Sequence, residues 1–399
     1  MNGSEKGGLM QRIRHVLLIS AMVICSMMVG LGALETMLYF TYRDVQIGGG
    51  DSPSTWTFRK RYYHLNSRGF RDKEVDVRKP ADVGRILVLG DSFSFGAGIK
   101  RAEDTYPALL DHKLGPEWEV INSGVRGWST ADELAFLKSE GLALKPDLLI
   151  VGHVLNDAET PELKEAKVRR AIKSWLIPQG LHIFLMKSSF TYYLSDRSIR
   201  GLVDNWGRSS DQPTGHDAYL HAIHQEPNWR DYARIVADLA AVAKSQDLPV
   251  IWMSFPNIRH AKAADYPFEQ VRRKLRDLAV GQGFHYLDLY EPLRATEEET
   301  LTVSPWDDHP NEAVHAVAAS ELQRMMVAER FLDGPSPGKG DHLLSHLEFD
   351  AWLQPFLEQP DRPRRSSRAA SAVGAWFNGR FGVIGTSKNR GRAWSRCAH

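Results

Sequence analysis

The chain reads as an α/β protein, a parallel sheet layered between helices, carried behind one membrane-spanning helix. Two observations predict this: short β-branched apolar runs alternate with helix-spaced segments beyond Arg85, and an uncharged apolar run of 19 residues lies near the start. Uneven charge then divides the chain into parts. Its 399 residues carry a formal net charge of +1, with 43% hydrophobic and 25% charged residues. That composition excludes collagen-like, coiled-coil and wholly disordered chains. Only two cysteines occur, Cys25 in the apolar run and Cys397 near the end, which excludes a disulfide scaffold.

Val16 to Leu34 is the apolar run, long enough to cross a bilayer core as a helix. Lys6, Arg12 and Arg14 precede it, so the positive-inside rule keeps residues 1–15 cytoplasmic and exports everything after the anchor at 16–40. The run is long for a signal peptide, and no A-x-A-like site follows it, so an uncleaved anchor is expected. Residues 41–60, which include IGGGDSPS, read as a flexible linker. The tail after Asp361 carries +9 and residues 1–43 carry +2, which leaves −10 for residues 44–361. An acidic body of this kind argues against a nucleic-acid partner, because phosphate binding needs a basic face.

The candidate strands are RILVLGD (85–91), EVINSG (119–124), DLLIVGHVLND (147–157), LPVIWMSFP (248–256) and FHYLDLY (284–290). Between them, Thr105–Leu114, Thr130–Leu142, Trp229–Ser245 and Pro267–Gly281 carry helical spacing. This order predicts a doubly wound, flavodoxin-like sheet whose ligands bind beyond the carboxyl ends of the strands. The connection at 158–247 is longer than a crossover helix requires. It holds a charged amphipathic segment, Glu162–Trp175, and an aromatic one, Ile183–Trp206. The second is expected to be one helix adding core against the sheet, with a lid over the site, leaning on the membrane, as the alternative.

Chemistry-bearing residues fall where the fold class expects them. GDSFSFG places Ser92 on a strand-to-helix turn after the first run. INSGVRGWST supplies Gly124 and Gly127, which permit a tight turn and close backbone approach. The third run ends at Asn156, whose amide could donate to a developing oxyanion. SPWDDHPNEAVHAVAA then supplies His309 with Asp307 or Asp308 as a base and its orienting carboxylate. Each signal alone has a bland alternative, such as a helix cap, a turn glycine or a surface histidine. Their order along the chain gives them joint weight. His315 is expected to be structural.

With these residues in place, the chain resembles the SGNH (GDSL-type) hydrolase superfamily from roughly Tyr63 to Phe331. GDSFSFG matches the nucleophile block at Ser92, NSGVRG the second block at Gly127, VLND the third at Asn156 and DDHPN the last at His309. YHLNSRGFRDKE (63–74) resembles a lead-in common in envelope members of the group. The usual Asp-x-x-His is absent, since Trp306 stands three before His309; members of the group with Asp-x-His-Pro-Asn use the residue two before the histidine, so the resemblance implies Asp307 over Asp308 as the partner. The resemblance implies a three-layer α/β/α hydrolase domain over 61–332 and a catalytic set of Ser92, His309 and Asp307. It also implies an oxyanion hole from Ser92, Gly127 and Asn156, with no metal or cofactor. The implied function is an extracytoplasmic, membrane-anchored serine esterase acting on a small acyl ester, an envelope glycan O-acetyl group or a lipid ester. An O-acyltransferase with the same acyl-enzyme and a non-catalytic glycan-binding scaffold are the alternatives. Residues 333–399 are expected to be an extension, largely disordered from 361.

Overall fold

A computed structural model describes residues 3–46, 52–165, 177–205 and 215–333. The expectations for the tail, for Cys397 and for most of Glu162–Trp175 lie outside the described residues. Five parallel strands form the sheet: β1 (Gly84–Gly90), β2 (Trp118–Asn122), β3 (Leu148–His153), β4 (Val250–Ser254) and β5 (His285–Asp288), in the order β2-β1-β3-β4-β5. Each predicted run supplies one strand. β1, β3 and β4 are buried at every position, which accounts for their continuous apolar sequences.

After the N-terminal helix α1 (Gly3–Tyr42), the described helices before β4 follow in chain order. They are α2 (Pro53–Tyr62), α3 (Ser92–Phe95), α4 (Tyr106–Leu114), α5 (Thr130–Ser139), α6 (Gln179–Ser188), α7 (Phe190–Asn205), α8 (Gly215–Ile223) and α9 (Asn228–Ser245). Beyond β4 follow α10 (Glu269–Gly281), α11 (Tyr290–Ala295) and α12 (Glu312–Ala328). Between α11 and α12 a short antiparallel hairpin, β6 (Thr302–Ser304) and β7 (Asp307–Pro310), carries the DDHP segment. The main core gathers Leu87, Leu89, Leu149, Val151 and Trp252 from the sheet with Leu137, Val236, Leu239 and Leu275 from α5, α9 and α10. Burying apolar surface on this scale contributes about 25 cal/mol per Å² removed from water.

Two expectations change. The described parts of the 41–60 linker are not a free spacer: Tyr42 and Gln46 are buried, and α2 buries Pro53, Ser54, Thr55 and Phe58. Ser52 caps α2 by accepting from the Thr55 amide, and Pro53 opens it at a position where no amide is needed, so Ser-Pro starts a helix here. The segment 183–206 is two helices rather than one, broken at Ser189. The break has a cause in α1: the Glu35 carboxylate accepts from the Phe190 and Thr191 amides and from the Ser189 and Thr191 hydroxyls, capping α7 from outside. Among the described residues these helices add none to the main core over the sheet; α6 and α7 pack on α1 and α2, with Phe190 and Tyr193 buried. Earlier in α1, Val16, Met22 and Val29 are 62%, 69% and 73% exposed, a surface that water disfavours and lipid would cover.

Candidate active site

Ser92 opens α3 directly beyond β1, and the turn is held by Asp91, whose carboxylate accepts from the Phe93 amide at 2.8 Å. Space for this turn comes from Gly124 after β2. A Cβ there would lie 2.6 Å from the Phe95 amide nitrogen and 2.7 Å from Ser94 Cβ, so only glycine lets the two strand ends approach. The YHLNSRGFRDKE segment clasps the same turn from outside. Buried Arg71 donates to the Gly96 carbonyl at 2.7 Å and to the Ile99 carbonyl at 2.8 Å, and its guanidinium stacks over Tyr63. Asp72 accepts from the Asn122 amide at the end of β2; burial raises its pKa to about 6.

Asp91 is the hub of the site. Its Oδ2 accepts from the Ser92 hydroxyl and from Asn156 Nδ2, both at 3.1 Å, which joins the ends of β1 and β3. Burial pushes the Asp91 carboxyl upward, opposed by these donors and by nearby His309. His309 lies on β7 with its ring 5.7 Å from that of Phe93, and its Nδ1 makes a short hydrogen bond to Asp307 Oδ1. Burial disfavours the imidazolium, yet the Asp307 carboxylate outweighs it and holds the His309 pKa above its ordinary value. Burial likewise opposes the Asp307 anion, but His309 and Gln46 hold its pKa below the usual range. Asp308 faces away and pairs with Arg259 at the surface. Adjacent strand residues point to opposite sides, which explains the division.

Gly127 has a left-handed φ of +83° with open space around its Cβ position, and its carbonyl accepts from Lys164. Among the described residues neither its amide nor that of Ser92 donates to a protein acceptor. Ser92 and His309 are not hydrogen-bonded to each other; the serine hydroxyl is turned to Asp91. His315 is structural, buried with its Nδ1 accepting from the Tyr106 amide, and burial lowers its pKa to about 3. Sequence reading missed three participants. Asp91 has a signal in its place beside the serine, whereas Gln46, which donates to Asp307 Oδ2 at 2.7 Å, has none. The third is Glu133 on α5, whose pKa burial and neighbouring Asp91 raise.

A parallel sheet presenting a serine turn, a nearby amide donor and a His–Asp pair at one edge defines an SGNH-type hydrolase. The chain matches the model of the GDSL-like lipase/acylhydrolase family over residues 88–317, more than half its length, and belongs to that family. It is therefore an enzyme that hydrolyses ester bonds. Among solved structures it is similar to the lipase/acylhydrolase from Enterococcus faecalis, at 14% identity and TM-score 0.37, covering 62% of this chain and 97% of that one. A putative lipolytic protein of the G-D-S-L family from Desulfitobacterium hafniense DCB-2 matches at 16% identity and TM-score 0.37, over 60% of this chain and 98% of that one. An acetyl xylan esterase, AlAXEase, matches at 15% identity and TM-score 0.36, over 60% and 98%. No curated protein matches.

Proposed function

We propose that this chain is a membrane-anchored, extracytoplasmic serine esterase that cleaves an O-acyl ester of an envelope glycan or lipid. The observation that carries the mechanism is the convergence of Ser92, Asn156 and the His309–Asp307 pair around Asp91 at one sheet edge. Ser92 Oγ adds to the ester carbonyl as His309 Nε2 takes its proton; the tetrahedral adduct collapses, and the imidazolium returns that proton to the departing alcohol. Water, deprotonated by the same imidazole, then releases the acid and restores Ser92. The Ser92 and Gly127 amides and one Asn156 N–H would hold the oxyanion, each donor worth about 3 kcal/mol in the transition state. The second Asn156 N–H stays on Asp91, which keeps the amide aimed. The exposed apolar run of α1 supports tethering, and the basic residues before it support export of the body.

The test uses the full chain in detergent micelles with a chromogenic short-chain ester and a fluorophosphonate probe. Wild type is expected to turn over the ester and be labelled, and Ser92→Ala to do neither. A wild-type protein that is folded yet inert to both reagents would sink the mechanism.

A further inference from the structure

The polypeptide that leaves α1 reaches into the site. Gln46 follows the helix by four residues and is 2% exposed. Asp307 Oδ1 is occupied by His309, through the ring Nδ1 and the backbone amide, while Oδ2 accepts from Gln46 Nε2 at 2.7 Å. An ionised carboxylate only accepts, so the NH2 of Gln46 must face it and Oε1 must face elsewhere. Oε1 accepts from the Tyr63 hydroxyl at 2.6 Å, and the Tyr63 oxygen accepts from the Gly98 amide at 2.8 Å. Gly98 lies three residues beyond α3. Ser304 Oγ, on β6, fixes the Gln46 backbone by donating to its carbonyl at 3.1 Å. A continuous hydrogen-bonded path therefore runs from the loop behind Ser92, through Tyr63 and Gln46, to Asp307 and His309.

We propose that Gln46 is a positioning residue for the reaction, locking the Asp307 carboxylate so that its other oxygen orients His309 relative to the serine turn. The proposal rests on the Ser-His-Asp reading above. A loosened carboxylate lets the imidazole tilt, and misplacement by about 1 Å costs on the order of 100-fold in rate. The charged and titratable groups facing the pair are Asp91, Arg126 and His315 beside His309 and Tyr193 beside Asp307.

The experiment compares full-length wild type, Ser92→Ala, Gln46→Met and Gln46→Glu in micelles, measuring melting, kcat, KM and the pH dependence of fluorophosphonate labelling. Gln46→Met, which keeps the volume and removes the donor, is expected to lower kcat by about 10- to 100-fold with KM within about two-fold. Gln46→Glu sets a second carboxyl group against Asp307, and two carboxyl groups this close share one proton, so the introduced group donates in place of the amide. Its kcat is expected to stay above that of Gln46→Met at low pH and to fall in a new alkaline limb as the shared proton is lost. A merely structural glutamine would change melting and leave kcat and the profile in place. Wild-type kcat in a folded Gln46→Met, or a Gln46→Glu profile without the alkaline limb, overturns the proposal. Should Gln46→Met not fold, the profile of the near-isosteric Gln46→Glu decides alone. If wild type itself is inert, or Ser92→Ala is active, the Ser-His-Asp reading fails instead.

Discussion

In the resting geometry the Ser92 hydroxyl points at Asp91, so the first event of the proposed reaction is rotation of one side chain toward His309. Hydrogen bonds of this kind commonly tighten only when substrate is bound. The base must be neutral to accept the proton. Because Asp307 holds the His309 pKa above the ordinary value, the acid limb of kcat/KM is expected above about pH 6.5. Asp307→Asn removes that support and leaves burial to dominate, so the limb of any residual activity should move to lower pH while kcat falls by about 10⁴-fold. Asp308→Asn, which breaks only the surface pair with Arg259, should keep kcat within about two-fold. Measured pH–rate profiles of the two variants check both statements, and an equal loss in each would contradict the partner assignment. The family resemblance already favoured Asp307; the alternation of β7 supplies the physical reason.

At the scale of elements, legibility followed the range of the interactions. β1, β3 and β4 were readable because each is buried at every position and writes a continuous apolar run, while the edge strands β2 and β5 were readable from shorter, mixed runs. The break at Ser189 was not, because the cap of α7 is Glu35, more than 150 residues away, and no local pattern records it. Gln46 was hidden for the same reason, standing 261 residues from Asp307. The YHLNSRGFRDKE motif was visible but its work was not: its Arg71 satisfies carbonyls of the loop behind the nucleophile. Arg71→Leu leaves those buried carbonyls unpaired and is expected to cost about 3 kcal/mol, read by denaturant unfolding. Gly124→Ala should cost about 1 to 3 kcal/mol and also lower kcat, since the added Cβ meets the backbone of the serine turn rather than a movable side chain. Unchanged activity in that variant would mean that α3 can yield without displacing Ser92.

At the scale of the molecule, α1 has two parts with different surroundings. From residue 11 to Leu34 its side chains are exposed, whereas from Glu35 onward it engages the body. Glu35 caps α7, Leu38 and Tyr42 are buried, and the Tyr42 ring meets Trp306 edge-on at 5.4 Å, three residues before His309. From Leu34 to Tyr42 the helix rises about 12 Å. A headgroup layer is about 5 to 8 Å deep, which would place the His309 hairpin close above a bilayer that contained the apolar run. The boundary at Glu35 makes a divided prediction. Replacing Val16–Leu34 with an unrelated apolar helix of equal length should leave ester turnover in micelles within about two-fold, because no side chain of that run reaches the site. Deleting Arg43 instead shortens the path between Tyr42 and Gln46 by about 3.8 Å, so the two contacts compete and kcat should fall as in Gln46→Met. Turnover and melting of the two variants, measured side by side, test the division. If the replaced span silences a folded enzyme, or the Arg43 deletion leaves kcat untouched, the junction after Leu34 is not where anchoring ends and catalysis begins.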